Sequence, residues 1–235
     1  GVAAMELYSY AHQLAADRGI DPQDDIMTKL VNAEIDGDRL TELEIDVFML
    51  LLSVAGNETT RNATAHGMHA FLTNPDQFSL LKSNVDKYID TAVDEVIRWA
   101  SPVLHFRRTT TQPVELLGQE IEEGSRVVMW YISANRDEEV FSNPYNFDIT
   151  RSPNDHIAFG AGGAHYCLGA NLARAELRLI FQEIATRMPD MKMEGEPQRL
   201  RSNFIGGIKH LPVSWTPGPR VDPPPYKRET KLTDF

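Results

Sequence analysis

The sequence predicts a mainly α-helical fold with small β-sheets. Three observations carry this: a proline-free stretch of about 32 residues with high apolar content, short β-patterned runs in 114–132 and 198–215, and a glycine-rich loop feeding another long helix. With 235 residues, 42% of them AVILMFWYC, the composition is that of a globular chain. A formal net charge of −11 argues against a nucleic-acid groove or an anionic membrane surface, which need clustered Lys and Arg. The single cysteine rules out an internal disulfide framework and suits a reducing, cytoplasmic compartment. No apolar run reaches the ~18 residues that a membrane span requires.

Taken in order, Val2 to Arg18 reads as a helix with Leu7, Tyr10 and Leu14 along one face and Gly19 as its stop. It starts at residue 1 without an obvious cap, so the chain is expected to be a piece of something longer. Pro22, Asp24 and Asp25 open a short helix ending near Glu34, and Asp36-Gly37-Asp38 is a turn. Thr41-Glu42-Leu43-Glu44 is a capping box for the long helix, which continues to about Leu72. Its arc of Leu43, Val47, Leu50, Leu51, Val54 and Ala55 is expected to run through a protein centre. Asn74-Pro75 starts the next helix, and Asp86 to Ala100 forms another that stops before Pro102. Val114 to Leu117, Gln119 to Ile121 and Arg126 to Ile132 are expected strands, followed by an irregular stretch to Ser152. A helix from Leu168 to about Met188 turns Leu172, Leu177, Ile180 and Ile184 inward. Short strands fill Gln198 to Trp215. The expected division is a folded part, 1–216, and a Pro-rich extended tail, 217–235.

Cys167 follows a glycine-rich loop at the start of a helix, where free amides and the helix dipole favour thiolate and can point at the sulfur. The glycines let the backbone approach a flat ligand closely. From spacing alone, the same cysteine reads equally as a small buried hydrophobe. Glu58 and Thr59 lie in a polar cluster inside the long helix, where a local widening near Gly56 could admit dioxygen and water. Thr59 would then hydrogen-bond an oxygen species and Glu58 would link to solvent. Without a ligand they read as a back-bonded Thr and a surface Glu. Glu95 and Arg98 are i and i+3 on a helix, and their functional version needs a third group, Arg136 or Asn146. Arg107 and Arg108 offer guanidinium forks for a carboxylate, or form a solvent-facing pair. His66 and His69 share a helix face, lack a third ligand, and read as surface residues.

Three strings, in this order, resemble the cytochrome P-450 family: Ala55-Gly56-Asn57-Glu58-Thr59-Thr60, Glu95-Val96-Ile97-Arg98, and Phe159-Gly160-Ala161-Gly162-Gly163-Ala164-His165-Tyr166-Cys167-Leu168-Gly169. The resemblance spans roughly Met5 to Trp215 and implies the C-terminal portion of that fold. It implies haem b, with Cys167 as the iron ligand, His165 and Arg108 (Arg107 as runner-up) facing a propionate, and Phe159, Gly160, Ala55 and Gly56 at the cofactor. Thr59 and Glu58 would serve oxygen activation and proton delivery. Glu95, Arg98 and Arg136 would form a structural network. Leu51, Val54, Val103, Leu104, Phe204 and Ile205 would line an apolar pocket. The implied activity is hydroxylation of an unactivated C–H bond, with electrons from a ferredoxin and ferredoxin reductase-type partner. One extra residue between Phe159 and Cys167, together with Ser133 to Glu138 and Gly207 to Pro212, is similar to bacterial enzymes acting on steroid side chains or methyl-branched lipids. Missing N-terminal elements imply weak haem binding by this polypeptide alone. The alternatives are a non-catalytic haem-binding or interaction module, and a peroxide-driven hydroxylase. The intact Glu58-Thr59 pair disfavours the latter, since that branch typically carries Arg-Pro there.

Overall fold

The computed structural model describes residues 1–219, so the expected tail falls outside the described residues beyond Pro219. The chain divides into two compact units, Gly1–Glu58 and Thr59 onward, with the boundary inside one long helix.

In the first unit, α1 (Val2–Ile20) runs past Gly19 and ends at Asp21, whose amide returns to Asp17. Ala11, not Tyr10, is its buried residue, and Tyr10 is exposed. The side of the helix that packs against the core is therefore Ala11 with Leu14 and Ala15. Asp25 caps α2 (Ile26–Val31) by accepting the Thr28 amide. Residues Glu34–Ile35 (β1) and Asp38–Arg39 (β2) form a two-residue hairpin around Asp36 and Gly37, both at positive φ. The long helix, α3 (Glu42–Thr73), begins with the expected reciprocal cap: Thr41 N–H donates to Glu44 at 2.8 Å, and Glu44 N–H to the Thr41 hydroxyl at 3.3 Å. Ala11, Met27 and Ile45 form a small core. The arc expected at a protein centre is instead open, with Leu43, Val47, Leu51 and Val54 all exposed. Within this unit the core takes only the Ile45 and Met49 side of the helix.

The second unit holds the main core. It is built by the latter part of α3 with α4 (Pro75–Ser83), α5 (Val85–Ala100) and, further along, the last long helix. Helix α5 is strongly two-sided: Ile89, Ala92, Val93, Val96, Ile97 and Ala100 are buried at i, i+3, i+4 spacing. Phe71 is its aromatic centre, with the rings of Phe78, Phe147 and Phe181 between 5.2 and 5.5 Å away.

The remaining strands form antiparallel pairs. β3 (His105–Thr109), β4 (Val114–Leu116), β5 (Gln119–Ile121) and β6 (Arg126–Trp130) give the pairs β3–β6 and β4–β5. The strand expected to reach Ile132 ends at Trp130, where a single helical turn, α6 (Tyr131–Ala134), begins. Irregular chain from Asn135 to Gly169 leads into α7 (Ala170–Arg187), in which Leu177 is buried but Leu172 is exposed, contrary to the expected inward stripe. Four short strands close the unit: β7 (Lys192–Met193) pairs with β10 (Val213–Ser214), and β8 (Gln198–Arg199) with β9 (Ile208–His210). Among the described residues, no helix is long and apolar enough to cross a membrane.

Candidate functional site

Cys167 lies two residues ahead of the α7 cap residue Gly169, on a loop that closes on itself. Its amide donates to the Phe159 carbonyl at 2.9 Å, Tyr166 N–H to Gly163 at 3.1 Å, and Gly160 N–H to Ile157 at 2.8 Å. Gly160, Gly162 and Gly163 all sit at positive φ, where a side chain would be strained. The thiol is exposed, which removes the reading of a buried hydrophobe. Among the described hydrogen bonds none runs from a backbone amide to the sulfur, and the Gly160, Tyr166 and Cys167 amides turn to carbonyls of the loop instead. His165 is exposed on the same loop, and Phe159 is half-buried.

A buried ionic cluster lies behind the loop. Glu95 and Arg98 on α5 are fully buried and doubly bonded, at 2.7 and 2.8 Å. Such a pair is tolerated only when its remaining hydrogen-bonding capacity is filled. Arg98 also donates to the carbonyls of Asn135 (2.7 Å), Pro144 (2.9 Å) and Asn146 (3.2 Å). Glu95 accepts from the Asp148 amide, Arg151 Nε and Asn154 Nδ2 at 2.9, 3.1 and 3.1 Å.

The third ionic member is therefore Arg151, not Arg136. Arg136 donates to the Trp99 carbonyl at 2.9 Å and its guanidinium covers the Trp99 ring at 4.9 Å. Burial first, then the nearby Arg98 charge, push its pKa down against an opposing pull from Glu95. Asn146 does take part, through its backbone carbonyl.

Asn135, which sequence reasoning passed over, joins this cluster to the thiol loop. It is fully buried, and its carbonyl holds Arg98. Its side chain donates to Ser101 Oγ at 2.9 Å and accepts the Ile157 amide at 2.8 Å. Ile157 in turn accepts from Gly160. Ser101 sits at φ 38°, a left-handed conformation closing α5, and returns its hydroxyl to the Arg98 carbonyl at 2.9 Å. The signal in sequence was its place in the Ser133 to Glu138 string, which was read for resemblance and not for a structural role.

A second group also went unforeseen. Arg174 Nε donates to Asp94 Oδ1 at 2.9 Å, and His156 Nε2 lies 3.5 Å from the same oxygen, its side chain only 3% exposed. The Arg174 guanidinium covers the Phe159 ring at 4.7 Å. Burial alone would raise the Asp94 carboxyl, but the nearby His156 and the Arg174 hydrogen bond outweigh it and hold it below the usual range.

The pocket candidates of the second unit come together. Val103 and Ile205 form a β-bridge, and Leu104 N–H donates to the Phe204 carbonyl at 2.9 Å. The Phe204 ring meets His105 and Phe106 at 5.8 and 5.6 Å. Leu51, Val54, Ala55 and Gly56 belong to the first unit and are exposed there. Glu58 and Thr59 are half-buried on α3 at the unit boundary. The expected widening near Gly56 is absent, since α3 is regular α-helix throughout; opening a turn would leave backbone groups in need of new partners. Arg107 and Arg108 are both exposed on β3. His66 is not a surface residue: burial first, then the Arg199 charge, lowers its pKa to about 4. Among the described residues, no group of three metal-binding side chains forms.

The family model that matches is cytochrome P-450, over residues 9–188. A steroid C26-monooxygenase of Mycolicibacterium smegmatis is 53% identical over 215 residues, covering 92% of this chain and 50% of that protein. A methyl-branched lipid omega-hydroxylase of Mycobacterium tuberculosis is 52% identical over 213 residues, 91% of this chain and 50% of the relative. A Mycobacterium marinum cytochrome P-450 solved with pseudoionone superposes with a TM-score of 0.86 at 47% identity, covering 90% of this chain and 51% of that one. The chain thus spans about half the length of the curated relatives it matches.

Proposed function

Because the chain belongs to the cytochrome P-450 family, we propose that the full-length protein is a haem-thiolate monooxygenase that hydroxylates an unactivated C–H bond of a steroid side chain or methyl-branched lipid. The observation that carries this reading is Cys167, an exposed thiol on a closed loop anchored through Asn135 to a buried ion cluster. The donor set suits haem b. A soft sulfur stands at the surface, flanked by exposed Tyr166, Leu168 and Leu172, on a loop whose Gly162 and Gly163 leave open space where a Cβ would stand.

When bound, the haem supplies the activation of dioxygen, with electrons from a ferredoxin-type partner. The chain's own residues do the rest. Cys167 would hold the iron, and the exposed Arg108 and His165 would meet the propionates as charge-assisted donors. Thr59 would offer its hydroxyl as a hydrogen-bond partner on the oxygen side, and the neighbouring Glu58 would relay protons toward it. Val103, Leu104, Phe204 and Ile205 offer an apolar lining suited to a hydrocarbon tail.

The test is the full-length protein expressed with haem. Its reduced, carbon monoxide-bound spectrum is expected to carry the thiolate signature, and Cys167→Ser to abolish it. An unchanged spectrum in that variant, or no haem in the wild type, sinks the reading. Product analysis with a cholesterol-type side chain and a methyl-branched fatty acid then separates the two substrate classes, and terminal hydroxylation is expected. Turnover with peroxide alone, without reductase or ferredoxin, would favour the peroxide-driven alternative.

A further inference from the structure

Helices α5 and α7 are cross-linked by two ion pairs one helical turn apart. Asp94 meets Arg174 at 2.9 Å, and Asp90 meets Arg178 at 3.4 Å. The numbers rise on one helix as they fall on the other, as in an antiparallel ladder. The rungs differ in their surroundings. Asp90 is largely exposed, Arg178 is partly buried, and neither touches the thiol loop among the described contacts.

The Asp94 rung is built into that loop. Arg174 covers the Phe159 ring, and the Phe159 carbonyl is the acceptor of the Cys167 amide. His156, nearly fully buried, sits between Asp94 and the same ring, with ring centroids 5.8 Å apart. The Tyr166 ring approaches Phe159 at 6.5 Å. Burial pulls the Arg174 pKa down, but the Asp94 hydrogen bond and the nearby Tyr166 raise it above its usual value, so the guanidinium stays charged. Arg174 is thus a fixed cation lodged among residues that flank Cys167, and Asp94 is the anion that balances it.

We propose that Asp94 and Arg174 are positioning residues that set the electrostatic field at the Cys167 sulfur, the carboxylate cancelling a guanidinium charge that would otherwise act on the thiolate. The inference rests on the haem-thiolate reading above. A positive charge near a metal–thiolate centre stabilises the more reduced, more negative state, and a negative charge does the reverse. The pair is balanced, so removing either member should move the reduction potential, in opposite directions. Loss of a purely structural tie would move it in one direction, or not at all.

The experiment uses the full-length, haem-loaded protein and reads the midpoint potential by spectroelectrochemistry at a single pH. Asp94→Asn is expected to shift the potential upward and Arg174→Gln downward, while Arg174→Lys stays near wild type. Asp90→Asn, the same kind of pair one turn further from the loop, is expected to leave it unmoved. Shifts of equal sign in Asp94→Asn and Arg174→Gln, or a shift in Asp90→Asn as large as theirs, would overturn the proposal. Should Asp94→Asn not fold, a downward shift in Arg174→Gln against an unmoved Arg174→Lys still supports it, and no difference between those two overturns it. The reduced carbon monoxide spectrum separates the two layers of inference. Its thiolate signature missing from the wild type removes both the haem-thiolate reading and this proposal. The signature present without opposed shifts removes only the latter.

Discussion

The Ile157 amide donates to Asn135 Oδ1 at 2.8 Å, and this bond joins a fully buried carboxylate–guanidinium pair to the loop that carries the thiol. Asn135 uses its carbonyl, its amide nitrogen and its amide oxygen at once. Asn135→Ala strands the Ile157 amide and one Ser101 bond inside the protein. Leaving buried groups unpaired costs about 1–3 kcal/mol each, so a loss of roughly 2–5 kcal/mol is expected in urea unfolding. Asn135→Asp, which keeps the acceptor and the shape, should lose less by removing the Nδ2 donor than Asn135→Ala does, unless its charge is forced to ionise in place. A loss below about 1 kcal/mol in Asn135→Ala would refute the joint.

Arg151 and Arg136 give a direct comparison. Arg151→Ala removes one of two guanidinium partners from buried Glu95, takes a donor from the carbonyls of Ser142 and Asn143, and leaves Asn146 with Arg98 alone. Breaking a buried pair costs about 3–5 kcal/mol. Arg136→Ala loses a hydrogen bond to the Trp99 carbonyl and a cation–π contact, about 1–2 kcal/mol together. Chemical denaturation of the two variants should rank them in that order; the reverse ranking would return Arg136 to the cluster.

Gly67 lets α3 approach its neighbours. A Cβ there would stand 2.5 Å from Phe181 Cζ and 2.7 Å from Val96 Cγ1, inside any real contact distance. Both neighbours are buried and hemmed in by the Phe71 cluster, so neither can swing away. Gly67→Ala is expected to destabilise by about 1–3 kcal/mol despite its better helix propensity, whereas Gly56→Ala, with nothing nearby, should stabilise slightly. Melting temperatures that move in the same direction for both would contradict this packing.

His66 makes stability depend on acid. Its folded pKa is about 4 against an ordinary 6.5, so below pH 6.5 the unfolded chain takes up a proton that the folded chain refuses. Its contribution is fully present above pH 6.5 and is lost progressively down to about pH 4, about 3 kcal/mol at the lower end. Folding free energy measured across this window should fall more steeply in the wild type than in His66→Gln. Parallel curves would mean that His66 titrates normally.

Much of the backbone was legible from short-range chemistry. Thr41 and Glu44 form the expected cap because both partners lie within one turn, and Glu95 meets Arg98 because i and i+3 share a helix face. The start of α5 and its whole buried stripe follow a 3.6-residue period. Errors came where a helix face was read without its covering partner: Tyr10, Leu172 and the Leu43 to Val54 arc are apolar yet exposed.

By itself, then, the sequence determined the helices, the cysteine at the head of the last of them and the family, since each depends on residue type and on neighbours a few positions away. Only the tertiary structure decided that Arg151 rather than Arg136 reaches Glu95, that Asn135 ties that cluster to the thiol loop, and that Asp94 pairs with Arg174. Those meetings depend on the path of irregular chain between Asn135 and Gly169. That path has no period to read, and it is settled by which distant donors and acceptors satisfy one another once they are buried.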